Sequence, residues 1–119
     1  VNTPAVLYWA VRFTHELYSP NAIYITENGL HTDDQPGNDG EVKDIARCQW
    51  IQLYLAALQR ACMEGYPAKG YFHWTFLDNY EWAWGYLKRM GLVHVDFPSQ
   101  ERTLKLSAQV YSAIIRRNS

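Results

Sequence analysis

Residues that staple or break a chain are scarce in this 119-residue sequence: two cysteines, five prolines and seven glycines. Cys48 and Cys62 fall in what reads as one continuous helix. At 1.5 Å per residue they would lie about 21 Å apart along its axis, some three times the reach of a disulfide, so they cannot pair with each other. With no CxxC pair and no Cys/His cluster, no metal site is expected, and both thiols read as small apolar fillers on a buried helix face. Unpaired thiols fit a reducing compartment, and a cytoplasmic setting is the expectation. An excess of one charge is missing too: 11 basic residues face 12 acidic ones, and the only basic doublets are Lys88-Arg89 and Arg116-Arg117. That argues against a nucleic acid partner, which needs a basic stripe to neutralise phosphates. No apolar run approaches the roughly 20 residues of a membrane span. The N-terminus lacks the basic-then-apolar order of a signal peptide, an absence that carries no information if the sequence is a piece of a longer one.

What the sequence does have is apolar and aromatic mass, 48% and 15% of its residues, more than enough to bury a core. Apolar Val6, Ala10, Phe13 and Leu17, with Leu7 and Val11 beside them, recur at helical spacing behind Pro4 and predict a helix over 4–18. After the turn residues Ser19-Pro20-Asn21, the run 22–26 reads as a buried strand that ends at Glu27-Asn28-Gly29. Residues 31–40 read as a loop, and Asp33, Asp34 and Asp39, which fit no calcium-loop pattern, read as solvated loop charges. Asp44 is placed to cap a long helix with Ile45, Cys48, Ile51, Leu55, Leu58 and Cys62 on its apolar face and Gly65 at its end. A second buried strand is predicted over 71–76, a short strand near 91–97 and a last helix over 103–116. Strands alternating with helices predict βαβ units and a parallel sheet covered on both faces, and two strands do not complete one. No repeat or linker is evident, so residues 1–119 read as one structural piece cut from a larger barrel or doubly wound fold, or one that pairs with other chains.

In parallel α/β folds, reactive groups gather where strands end. Period-2 alternation puts Glu27 in register with Ile23 and Ile25 and points its carboxylate into a pocket; the alternative is a loop residue facing water. Residues 71–86 bring Tyr71, Phe72, Trp74, Phe76, Tyr80, Trp82, Trp84 and Tyr86 together with Asp78, Asn79 and Glu81. Flat indoles suit the C–H face of a pyranose ring, and carboxylates and amides suit its hydroxyls. The alternative is an aromatic core strand with a surface loop.

Together the two segments resemble glycoside hydrolase family 1, the β-glucosidase family of (β/α)8 barrels. The motif Ile-Thr-Glu-Asn-Gly stands at Ile25 to Gly29. The motif Trp-Ser-Leu-Leu-Asp-Asn-Phe-Glu-Trp stands, with substitutions, at Trp74 to Trp82. The likeness continues through Gly85-Tyr86, Lys88-Arg89 and Gly91-Leu92-Val93 to Asp96, Arg102-Thr103 and the last helix. It implies an α/β fold, the C-terminal part of a (β/α)8 TIM barrel, with the last two strands and flanking helices, incomplete on its own. It also implies that Glu27 is the nucleophile, Trp74 the stacking platform, Glu81 the carboxylate that holds the hydroxyls at C4 and C6, and Trp82 the donor to the hydroxyl at C3. Met90 lies in the pocket wall where many members have an aromatic, and Leu104 stands where the family commonly has proline at the first turn of the last helix. His73, before the platform, reads as a structural residue hydrogen-bonded outside the pocket or, alternatively, as a ligand contact. A glutamate at position 81 would repel a phosphorylated sugar, so the substrate is expected to be an unphosphorylated β-glycoside or oligosaccharide.

Retaining glycosidases use two carboxyl groups about 5–5.5 Å apart. In the family the second is the glutamate of an Asn-Glu-Pro motif, which does not occur here, so the acid/base is missing. The chemistry asks for no cofactor or metal. The expected partner is the remaining N-terminal portion of the barrel, and the segment alone is expected to be inactive. The competing reading is a non-catalytic carbohydrate-binding or structural fragment that keeps the aromatic loop without the chemistry.

Overall fold

In the computed structural model, which describes residues 2–118, the elements run α1 (Ala5–Tyr18), β1 (Ile23–Asn28), α2 (Ile45–Met63), β2 (Ala68–His73), a single 3-10 turn (Trp82–Trp84), β3 (Val93–Val95), β4 (Arg102–Leu104) and α3 (Leu106–Arg117). They fall into two compact units. One takes the residues through Asn28 with Trp50–His73, the other Gly29–Gln49 with the residues from Trp74 onward.

The first unit is a βαβ arrangement in which β1 and β2 pair in parallel. Gly70 permits it, because a Cβ there would lie 2.6 Å from the ring of Tyr24. The core residues are Leu7, Tyr8 and Val11 of α1 and Trp50, Ile51, Tyr54, Leu58 and Ala61 of α2. On α1 the predicted stripe of Val6, Ala10, Phe13 and Leu17 is exposed instead. The helix is apolar on two sides, and only the Leu7–Val11 side is covered within this unit. On α2 the buried stripe runs at three- and four-residue steps through Arg47, Ile51, Tyr54, Leu58 and Ala61, so Ile45 and Cys62 at the predicted ends of the face are exposed. Cys48 is buried, as a filler should be, and Cys62 is not; both thiols are free. Burial first, then the charge of Asp44, pushes the Cys48 thiol up to about 11. Gly65 closes α2 in the left-handed region at φ +90, with Gly65 N–H donating to Cys62 O and Tyr66 N–H to Ala61 O.

The predicted second strand is displaced towards the N-terminus, and β2 ends at His73. Beyond it, Thr75 N–H donates to Met90 O (3.1 Å), Leu92 N–H to Thr75 O (2.9 Å) and Val93 N–H to Phe76 O (2.9 Å). Residues 75–76 therefore pair with the segment 90–93 of the second unit. The predicted strand near 91–97 is one arm of a hairpin, with β3 antiparallel to β4. Because residues 102–104 join this ladder, α3 begins only at Leu106, and Leu104 is an exposed strand residue outside the helix's first turn. Asp44 does precede α2, but its carboxylate accepts from Ser107 N–H (2.9 Å) and Ser107 hydroxyl (2.5 Å) and pairs with Arg47. From the N-cap position of α2, where its carbonyl accepts from Cys48 N–H (3.1 Å), it also satisfies a free amide in the first turn of α3.

Candidate active site

At the end of β1 the ladder slips. Ile25 pairs with Tyr71 and Asn28 with His73, so β1 carries one residue more than β2 across this step, and Glu27 lies in the irregularity. Such a bulge re-aims side chains, so strict alternation from Ile23 does not fix the direction of Glu27. Glu27 is solvent-exposed. Next to it, Tyr71 hydroxyl donates to Asn28 Oδ1 (3.0 Å) and lies 3.3 Å from Asn28 O, tying the strand ends together. His73 packs edge-on against Trp50, with ring centroids 6.2 Å apart.

The second unit holds Trp74, Glu81, Trp82 and Met90. A Cβ on Gly29 would sit 1.8 Å from the carbonyl oxygen of Trp74 and 3.4 Å from Met90 Cε, so only glycine lets the chain pass behind the indole-bearing residue. The Trp74–Thr75 peptide is cis. Trp74 Nε1–H donates to Glu81 Oε1 at 3.1 Å. Glu81 is only 8% exposed, and its Oε2 has no protein partner among the described residues, which leaves a strong acceptor open beside an indole. A tight turn follows, in which Glu81 N–H donates to Gly85 O (2.8 Å) and Gly85 N–H to Glu81 O (2.9 Å). It carries Trp82 outward, 88% exposed and at φ +23, a backbone region that a bulky residue rarely adopts. Sequence reasoning thus named side chains of which Trp74 and Glu81 touch each other, Met90 flanks Gly29, and Trp82 stands clear in solvent. Glu27 belongs to the other unit.

Behind this loop lies a group that sequence reasoning missed. Asp34, Asp44, Asp78, Arg47 and Lys105 are buried and Arg89 nearly so, three anions balanced by three cations. Asp78 accepts from Lys105 Nζ (2.8 Å), Arg89 (2.9 Å) and Gly91 N–H (2.8 Å). Lys105 Nζ also donates to Asp34 (2.6 Å), and Arg47 pairs with Asp34 (2.8 Å) and Asp44. Arg47 further donates to Leu30 O (3.2 Å) and Arg89 O (2.7 Å). Burial alone would push the Asp34 carboxyl up, but the Lys105 ammonium, the Thr32 hydroxyl and the Arg47 guanidinium outweigh it and hold it below the usual carboxylate range. Asp34 is thus no solvated loop charge, unlike the exposed Asp33 and Asp39. A signal was present: Arg47 shares the heptad-like stripe of Ile51, Tyr54, Leu58 and Ala61, where a charge must find partners.

Among the described residues no three His, Cys, Asp or Glu side chains are grouped to hold a metal ion, and no helix is long and apolar enough to cross a membrane.

Residues 1–119 match the family model described as glycosyl hydrolase family 1. The chain is 43% identical over 115 residues to beta-glucosidase A of Thermotoga maritima, covering 97% of this chain and 26% of that protein. It is 39% identical over 120 residues to a bifunctional beta-D-glucosidase/beta-D-fucosidase of Bifidobacterium breve, covering 98% of this chain and 26% of that one. A solved family 1 β-glucosidase from Thermotoga maritima superposes with a TM-score of 0.97 at 42% identity, over 99% of this chain and 27% of its own. The same enzyme has been solved in complex with deoxynojirimycin, with the same agreement. The chain thus spans about a quarter of the length of the relatives it matches, and it has the fold of part of a glycosidase TIM barrel.

Proposed function

The chain belongs to glycosyl hydrolase family 1, and from that premise we propose that it is the C-terminal piece of a retaining β-glycosidase barrel acting on terminal, unphosphorylated β-glycosides. In this reading Glu27 attacks the anomeric carbon and forms a glycosyl ester. Trp74 stacks under the sugar, Glu81 holds its C4 and C6 hydroxyls, Trp82 donates to the C3 hydroxyl and Met90 lines the wall. The observation that carries it is the Trp74–Glu81 pair: an indole face and a buried carboxylate joined at 3.1 Å, with one carboxylate oxygen left open. That is the chemistry of a pyranose clamp, and a packed core has no use for it.

The rest of the machinery comes from outside the segment. The acid/base carboxyl belongs to the remaining portion of the barrel, in agreement with the quarter-length match to the relatives. The exposed apolar Val6, Phe13 and Leu17 on α1 and the two-stranded parallel sheet call for neighbouring elements to cover them. By itself the segment holds one carboxylate of the pair and hydrolyses nothing.

The test uses the complete barrel with Glu27→Ala and a dinitrophenyl β-glucoside, whose leaving group needs no proton. Without added nucleophile the variant is inert. With azide the expected product is the α-glycosyl azide: azide forms the new bond to the anomeric carbon from the face the carboxylate vacated, and dinitrophenolate leaves with the bonding pair. A β-azide, or no rescue at any azide concentration, refutes the assignment.

A further inference from the structure

We propose that Lys105, at the start of α3, is a positioning residue for the sugar clamp, acting through Asp78 on the loop that carries Trp74 and Glu81. The inference rests on the clamp reading above and deepens it.

Asp78 lies between the two clamp residues in sequence and is their anchor. Its carboxylate, with no exposed surface, accepts from Lys105 Nζ at 2.8 Å, from Arg89 at 2.9 Å and from the backbone N–H groups of Gly91 at 2.8 Å and Val95 at 3.4 Å. The Asp78 backbone N–H donates to Val93 O (3.0 Å). The close fit leaves no slack, since a Cβ on Gly91 would sit 2.2 Å from Asp78 N. Among the described residues, Lys105 is the side chain that pairs with both this anchor and the loop after β1, reaching Asp34 at 2.6 Å with another of its N–H donors. Its own backbone is fixed by Lys105 N–H to Leu92 O (3.0 Å). A fully buried ammonium between two buried carboxylates holds both in place only while it is charged and present. If it goes, Asp78 and Asp34 face each other without it, and the loop leading to Glu81 loses one of the contacts that fix its base. Small displacements of groups that grip a substrate cost large factors in rate.

The readout is a specificity ratio, which a mere loss of folded protein does not move. Glu81 is read as holding the C6 hydroxyl, and a xyloside has no C6. In the complete barrel, kcat/KM for an aryl β-glucoside is divided by that for the matching aryl β-xyloside. Glu81→Gln should collapse this ratio, about 10-fold or more. Lys105→Met should lower it about 5- to 10-fold, with Lys105→Arg between Met and wild type. Arg89→Lys, which perturbs the more accessible cation on Asp78, serves where Lys105→Met does not fold and should shift the ratio the same way. If Glu81→Gln collapses the ratio while the folded Lys105 and Arg89 variants stay within twofold of wild type, the positioning role is wrong and the clamp stands. If Glu81→Gln itself leaves the ratio unchanged, the clamp reading fails and takes this inference with it.

Discussion

Glu27→Gln in the complete barrel should lower kcat for an aryl β-glucoside by at least about 10⁴-fold with KM little changed, the pattern of a lost covalent nucleophile. The amide is nearly isosteric with the carboxylate, so the bulge at the end of β1 and the Tyr71–Asn28 hydrogen bond beside it have no reason to move. What changes is chemical. A neutral amide does not attack the anomeric carbon and offers no negative charge to the oxocarbenium-like transition state. Steady-state kinetics of the purified variant check this, and a kcat within about tenfold of wild type would remove Glu27 from the mechanism.

Arg47→Met should carry the largest stability cost of any single change discussed. The guanidinium is fully buried, pairs with Asp34 and Asp44, and takes the carbonyls of Leu30 and Arg89. Removing one partner of a buried ionic cluster leaves the others uncompensated, a loss of about 3–5 kcal/mol by analogy with other buried pairs. Two carbonyls also lose a donor. Urea unfolding of the complete protein measures it. Lys43→Met, which removes an exposed cation from Asp39 and Glu41, is the control and should leave the transition where it was. The same cluster sets an acid limit. The Asp34 carboxyl is held below its ordinary range in the folded chain, so the folded state binds its proton less readily than the unfolded one. That contribution is fully present above the unfolded value of about 3.9 and is lost as pH falls from there through the lower folded value. Asp34→Asn should therefore flatten the fall in stability below about pH 4.

How far the sequence could be read followed from which physical signals are local. The helix over 5–18, the βα order and the stop at Gly65 are written in short-range chemistry: a proline near a helix start, β-branched runs, a glycine taking a positive φ. The strand over 68–73 reads three residues late in the sequence because the aromatics Tyr71, Phe72, Trp74 and Phe76 draw it past Ala68, Lys69 and Gly70. Where β2 stops is decided by Thr75 and Phe76 pairing with residues 90–93, far along the chain. The hairpin of β3 and β4 is only half legible for the same reason, since Arg102–Leu104 opens on two polar residues and continues into a helix-like pattern. In the proposed clamp the contact itself is not legible in the sequence: Trp74 and Glu81 are seven residues apart, and only the folded loop brings Nε1 onto Oε1. Asp34 was misjudged outright. In a polar loop an aspartate looks solvated, and its partner Lys105 is 71 residues away. No local pattern announces a lone buried lysine, whereas Arg47, inside an apolar stripe, did announce itself.

The central claim is that Glu27 becomes covalently attached to the sugar. Incubating the complete barrel with a 2-deoxy-2-fluoro-β-glucoside bearing a good leaving group, then digesting it and weighing the peptides, asks this directly. The account predicts one modified peptide, with the fluoroglucosyl mass on Glu27 and the loss of activity rising in step with it. Label on Glu81, on a carboxyl outside this segment, or on no peptide while the enzyme still turns over glucosides contradicts it.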